Sequence, residues 1–321
     1  MVIVRENPTN EIDISFPAYL DTRKTQINAN MENGVPNYAY GVDYAMMRKI
    51  NAIPGAFQFF KAMTSTWVPK RRQQFLQNSL KVGPNQFSDV YDHTVECARI
   101  LGCGIPSTFI LSDPKPNAFA FSSEDSAPVI VITSGFLERF TSGELKAIIG
   151  HELGHIQNNH TIYEMAVYFL QNAAAISIPG VGAILALASR PLHYALQAWS
   201  RAAEVTADRA EVICCDDPND SIMAHAKLMF GATFNRDDIN IEAILKQYDS
   251  IRSTSARILE LDSTHPVASR RILALKTFLD SEVLYKWRPE WKEAGRQYIS
   301  KQELDARCAK IIGVVKSDKR R

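Results

Sequence analysis

Neither sign of charge dominates this chain: 36 Lys and Arg stand against 35 Asp and Glu over 321 residues, a net of +1. With no basic excess, and no basic run interleaved with aromatic platforms, nucleic acid is excluded as the main ligand. Lys70-Arg71-Arg72 and the tail Lys316 to Arg321 read as solvated surface. Cysteine is sparse and odd in number. Cys97, Cys103, Cys214, Cys215 and Cys308 contain no CxxC pair and sit in apolar surroundings, which argues against a disulfide framework and for free, buried thiols in a reducing compartment. The adjacent Cys214 and Cys215 read as a buried helix end beside aspartates, not as a redox pair. The opening MVIVRENPTNEIDISF lacks a signal-peptide core because Arg5 and Glu6 break its apolar run, so a cytoplasmic protein without a cleaved signal is expected. Internal repeats and low-complexity tracts are also missing.

Charge itself is missing from Met165 through Ser189. That length suffices to cross a bilayer, yet Gln171, Asn172, Pro179, Gly180 and Gly182 interrupt it and alanines dilute it. Two readings fit: a buried or peripheral helical hairpin turning at Ile178-Pro179-Gly180, with peripheral membrane association, or a true span.

What is present is ordinary globular material, 46% hydrophobic and 22% charged. Residues 1 to about 38 read as loop with one short strand, and 40 to 80 as helix interrupted at Pro54-Gly55 and Pro69. A helix from about Asn85 to Leu101 stops at Gly102. Short strands follow at Thr108 to Leu111, Ala118 to Phe121 and Val129 to Thr133, bounded by prolines. Thr141 and Glu144 then form a capping-box signature that starts a helix with an inward stripe of Leu145, Ile148, Ile149, Leu153 and Ile156. Helices are expected over 181–215, 221–230, 237–251 and 266–279, and in the last 40 residues, with Trp287, Trp291 and Leu304 as packing anchors. The boundaries suggest an N-terminal segment 1–84, a central domain 85–280 and a helical extension 281–321.

The helix that opens at Thr141 carries His151-Glu152-Leu153-Gly154-His155. Histidines at i and i+4 leave one helix face about a turn apart, close enough for both imidazoles to hold one metal ion. Two neutral imidazoles keep zinc Lewis-acidic, and Glu152 beside them has the reach and basicity to take a proton from water at such a metal. That is the chemistry of peptide hydrolysis. His160, five residues on, falls about 140° further round a continuous helix and is not expected as a ligand.

A catalytic zinc takes three protein ligands. Glu204 and Asp208 share a helix face at i and i+4: Glu204 could ligate while Asp208 accepts an imidazole N–H. The alternative is a solvated amphipathic face pairing with Arg201 or Arg209.

Taken in order, NAFAF at 117–121, VIVITSGFL at 129–137, LKAIIGHELGHIQNNH at 145–160, WSRAAEVTADRA at 199–210 and STHPVASRRI at 263–272 give the chain its resemblance to a known family. It resembles the zinc metallopeptidases that include HtpX-like proteases and the CAAX prenyl endopeptidases, a branch of the gluzincins, over roughly residues 85 to 280. The resemblance implies an α+β, predominantly helical zincin-type fold with a small sheet packed on the HExxH helix. It implies one Zn²⁺ per chain held by His151, His155 and Glu204, Glu152 as general base and acid, and Asp208 behind the ligands. It makes Asn117, Ala118, Phe119 and Ala120 an edge strand beside the zinc, to which a peptide backbone can add. His265 matches a position where an imidazole could stabilise an oxyanion, or else caps a helix beginning at Pro266. Arg271 matches an arginine that contacts substrate or forms a salt bridge. HtpX-type proteases carry membrane spans before the HExxH helix and residues 1–144 carry none, which points to soluble or peripheral members. The expected function is a zinc-dependent endopeptidase acting on peptides or unfolded protein. The alternative is a chaperone-like or latent peptide-binding scaffold with a plugged zinc site.

Overall fold

Turn residues divide the chain into elements much as their chemistry requires. A computed structural model describes residues 19–20, 30–32, 34–123, 126–171, 190–229, 234–250 and 265–313. A two-stranded ribbon pairs β1 (Met31–Glu32) with β2 (Val35–Pro36). Then come α1 (Gly41–Asn51), α2 (Ala56–Asn78), β3 (Ser79–Lys81), α3 (Ser88–Leu101), β4 (Ser107–Leu111), β5 (Ala118–Ser123) and β6 (Ser126–Thr133). The helical remainder runs α4 (Ser134–Arg139), α5 (Ser142–Gln157), α6 (His160–Gln171), α7 (Arg190–Cys214), α8 (Pro218–Met229), α9 (Ile241–Ser250), α10 (Ala268–Leu279), α11 (Glu282–Trp287) and α12 (Lys301–Ile312). The fold is α+β and predominantly helical.

Four strands form one sheet in the order β3-β4-β6-β5, with β4 and β6 parallel and the outer pairs antiparallel. Strand alternation divides its side chains between two faces. Phe109, Phe119, Phe121, Val129 and Val131 pack with Val68 and Phe75 of α2. Ile110, Ala118, Ala120, Ile130 and Ile132 belong instead to the main core with α3 and α5. Among the described residues β5 is an edge of the sheet, and α5 packs against it.

Some local expectations need correction. Pro69 lies inside α2 and does not end it; Val68 and Phe75, on either side of it, are buried against the sheet, and that packing carries the helix past the missing N–H. Strand β3 had no pattern to reveal it, being three residues long. Helix α5 is buried on all sides from Glu144 to Ile156, not along one stripe, because α3, α7, α8 and β5 surround it. It ends at Gln157, and Asn159 turns the chain in the left-handed region at φ 58°. His160 therefore starts a new helix, and the rotation assumed for a continuous one does not apply. Helix α10 begins at Ala268 with Val267 as N-cap, so His265 does not cap it. The uncharged stretch reaches into α6 as far as Gln171; its hairpin at 178–180 lies outside the described residues. Among the described residues no helix is long and apolar enough to cross a membrane.

Capping chemistry fixes the start of α5 as its sequence indicates. The Glu144 amide donates to Thr141 Oγ1 at 3.2 Å and the Thr141 amide to Glu144 Oε2 at 2.9 Å. Glycines fix the approach of α7. A Cβ on Gly150 would stand 2.6 Å from Cys214 Cβ, and one on Gly154 2.7 Å from Ala210 Cβ. Side chains at these two positions would push apart the helices that carry His151, His155 and Glu204.

Both ends of the described chain grip α7. Arg209 Nη1 donates to the Tyr38 carbonyl at 3.0 Å, and Arg209 Nη2 pairs with Asp305 Oδ1 of α12 at 2.9 Å. Lys301 Nζ donates to the carbonyls of Asn37 and Ala39, each at 2.6 Å. Side chains from Tyr38 to Ile312 share one core cluster. All five cysteines are free and buried.

Candidate metal centre

Helix geometry sets His151 and His155 one turn apart, and close packing of α5 on α7 brings Glu204 to them. The two Nε2 atoms lie 3.0 Å apart; Glu204 Oε2 is 3.6 Å from His151 Nε2, and Glu204 Oε1 is 3.7 Å from His155 Nε2. All three residues are buried.

The outer nitrogens decide which lone pairs face inward. His151 Nδ1 lies 3.2 Å from Asp208 Oδ1 and 3.4 Å from Glu211 Oε2. His155 Nδ1 lies 2.6 Å from Glu164 Oε1. Carboxylates only accept, so each ring in its neutral, metal-binding form carries hydrogen at Nδ1, with Arg271 Nη2 a further 3.4 Å neighbour of His151 Nδ1, and turns its Nε2 lone pair towards the other ring and Glu204. Two imine lone pairs and a carboxylate converging in a buried space are a donor set for a cation. Glu204 Oε2 supports this fit: it is buried and meets no donor in hydrogen-bond geometry, although Arg271 Nη1 lies 3.0 Å away.

Among the described residues two further groups share these histidines, His155-His160-Glu164 and His151-Asp208-Glu211. Both use the outer Nδ1 atoms already engaged in hydrogen bonds. In the second, Arg271 also occupies Asp208, through Nε to Oδ2 at 3.0 Å and Nη2 to Oδ1 at 2.5 Å. The His151-His155-Glu204 group is the one whose ring nitrogens, both Nε2, face inward away from those outer partners.

The electrostatics are strongly coupled. Burial opposes ionisation of Glu204, but His265, Arg271 and the two histidines overrule it and hold its carboxyl at about 2. Asp208 is likewise driven well below the usual carboxylate range against its burial, chiefly by Arg271 and His225. Burial also opposes charge on His151, yet Asp208 and Glu211 raise it well above an ordinary imidazole. Glu152 differs. Burial, only partly offset by the two histidines, raises its carboxyl, so it is the more basic of the buried acids beside the pair.

Of the other residues singled out in the sequence, Arg271 stands in the salt-bridge arrangement with Asp208 and Glu204. His265 precedes α10 with 62% of its side chain exposed, its Nε2 3.3 Å from Glu204 Oε1. Asn117 anchors the start of β5: its N–H donates to Thr133 Oγ1 at 2.8 Å and its carbonyl accepts from the Thr133 amide at 2.9 Å. Ala118 and Ala120 face the α5 side, whereas the Phe119 ring turns to the opposite face against Phe75.

Sequence reading missed Glu211, His225, Glu164 and Asp43. Glu211 had a signal, since 204, 208 and 211 are i, i+4 and i+7 on one helix face. His225, fully enclosed with its Nε2 3.1 Å from Glu211 Oε2, had none.

A family model described as Peptidase family M48 matches residues 84–279. The plastoglobule-localized metallopeptidase 48, chloroplastic, of Arabidopsis thaliana is 32% identical over 210 residues, covering 64% of this chain and 59% of that protein. A protease HtpX homolog of Moorella thermoacetica is 28% identical over 220 residues, covering 61% of this chain and 74% of that one. The chain thus spans 59% of the length of the first of these relatives.

Proposed function

Because that match spans more than half of its length, the chain belongs to peptidase family M48, and from this premise we propose that it is a zinc-dependent endopeptidase. The observation that carries the reading is the pair of inward Nε2 atoms 3.0 Å apart facing Glu204, on the same buried helix as Glu152. His151, His155 and Glu204 would hold one zinc per chain. Bound there, zinc supplies a Lewis acid that polarises the scissile carbonyl and lowers the pKa of water.

The chain's own residues do the rest. Glu152 takes the proton of the attacking water on its carboxylate and returns it to the leaving nitrogen. The β5 edge from Asn117 to Ala120 takes up an extended peptide by backbone hydrogen bonds, which suits peptide or unfolded-protein substrates with modest side-chain preference. His265, exposed beside Glu204, can donate to the oxyanion as it forms. Asp208 holds His151 in its Nδ1–H tautomer while Arg271 balances the buried carboxylates.

Digestion of a quenched peptide library tests this. Cleavage should vanish on full chelation and return with added zinc. Cleavage that survives metal removal contradicts the proposal, and peptide capture without turnover by zinc-loaded protein transfers it to the scaffold alternative.

A further inference from the structure

Helix α1 lies outside the residues matched by the family model, yet it sends one side chain into the network behind the candidate ligands. Asp43, 2% exposed, sits in its first turn. Asp43 Oδ1 accepts from Trp199 Nε1 at 2.9 Å, and Oδ2 accepts from Thr206 Oγ1 at 2.7 Å. Oδ2 also faces His160 Nε2 at 2.9 Å. Trp199 and Thr206 belong to α7, the helix of Glu204, so Asp43 is fixed to one candidate ligand helix and points at a residue that abuts the other. Burial works against its charge, but His160 and the hydroxyl and indole donors overrule it and keep the carboxyl below its ordinary value. An ionised carboxylate surrounded by donors can only accept.

That fixes the hydrogen on each ring in turn. His160 must present Nε2–H to Asp43, which leaves its Nδ1 as an acceptor. His160 Nδ1 lies 3.1 Å from His155 Nδ1. A hydrogen on His160 Nδ1 would confront the one on His155. With His160 accepting, the His155 hydrogen is shared between His160 and Glu164 Oε1, and His155 Nε2 is left bare towards His151 and Glu204. His160 is fully buried, so no solvent competes for either of its nitrogens.

We propose that Asp43, acting through His160, is a positioning residue for the metal centre: it sets the tautomer and ring orientation of His155 from a helix outside the matched domain. This rests on the reading of His155 as a zinc ligand. Glu164 holds the same hydrogen from the α6 side, so loss of the Asp43 relay weakens the site without abolishing it. The chemistry required of residue 160 is one donor towards Asp43 and one acceptor towards His155. A glutamine amide supplies both; a leucine supplies neither.

The test is zinc affinity by chelator competition on the full chain, together with ¹⁵N tautomer shifts of His155 and a thermal midpoint for each metal-free protein. Losing an outer hydrogen-bond partner of a ligating histidine costs about 10–100-fold in affinity. Asp43→Asn and His160→Leu should fall in that range and redistribute the His155 hydrogen between its nitrogens. His160→Gln should lose less affinity than His160→Leu. Val90→Ala, which truncates a buried side chain of α3, should lower the midpoint and keep affinity within about threefold of wild type. Affinities for Asp43→Asn and His160→Leu within that same threefold would overturn the proposal, as would a Val90→Ala loss as large as theirs. A failure of Asp43→Asn to fold leaves the comparison of His160→Leu with His160→Gln to decide, with equal losses counting against it. Wild-type protein that binds no zinc would overturn the metal-site reading itself, a different result from normal wild-type binding with unaffected variants.

Discussion

Glu152→Gln should lower peptide hydrolysis by about 10²–10⁴-fold or more, the usual worth of a positioned general base, while zinc content stays that of the wild type. The separation follows from where the side chain stands. Glu152 is buried on the same helix as the two histidines but lies outside the donor group of His151, His155 and Glu204. Glutamine keeps its volume and helix propensity and removes only the ability to take a proton. Metal content and single-turnover cleavage, measured on the same preparation, check both halves. Activity near that of wild type removes Glu152 from the mechanism; parallel loss of zinc shows that it holds the site together instead.

Glu204→Ala should lose zinc by more than the roughly 10–100-fold that follows removal of an outer partner, because a donor itself is deleted. The fold should survive it. Arg271, left without Glu204, keeps its two contacts to Asp208, so no buried charge is orphaned, which is the usual source of severe destabilisation. Zinc stoichiometry after dialysis against a weak chelator, with a melting curve beside it, separates metal loss from unfolding. Unchanged stoichiometry would take Glu204 out of the ligand set.

The pentad and the Glu204/Asp208 pair were legible because helical spacing alone brings each pair onto one face. The start of α5 was legible because Thr141 and Glu144 satisfy orphan amides through their own side chains, a local effect. Pro106 marks the start of β4, because proline lacks the N–H that a ladder needs, whereas Pro128, read as a boundary, lies inside β6. What could not be read depends on contacts between distant segments. Asp43 meets His160 across 117 residues of chain, and His225 enters the site from α8, whose sequence around it, SIMAHAKL, looks like plain core. The helical rotation assigned to His160 failed for a smaller reason, though its reading as a non-ligand is untouched: Asn158-Asn159 is a turn signal, and Asn tolerates the left-handed conformation that Asn159 adopts. Reading that pair as a helix stop would have turned His160 back towards His155. Pro69 shows the opposite error, a strong local breaker overruled by packing on both of its sides.

Anomalous scattering at the zinc edge, from crystals of the full chain grown with zinc, distinguishes the three overlapping donor groups in one experiment. One peak is predicted, about 2.0–2.2 Å from His151 Nε2, His155 Nε2 and a Glu204 oxygen. A peak on the outer Nδ1 side, among His160 and Glu164 or among Asp208 and Glu211, would contradict the assignment, as would a full-occupancy zinc that leaves both Nε2 atoms unliganded.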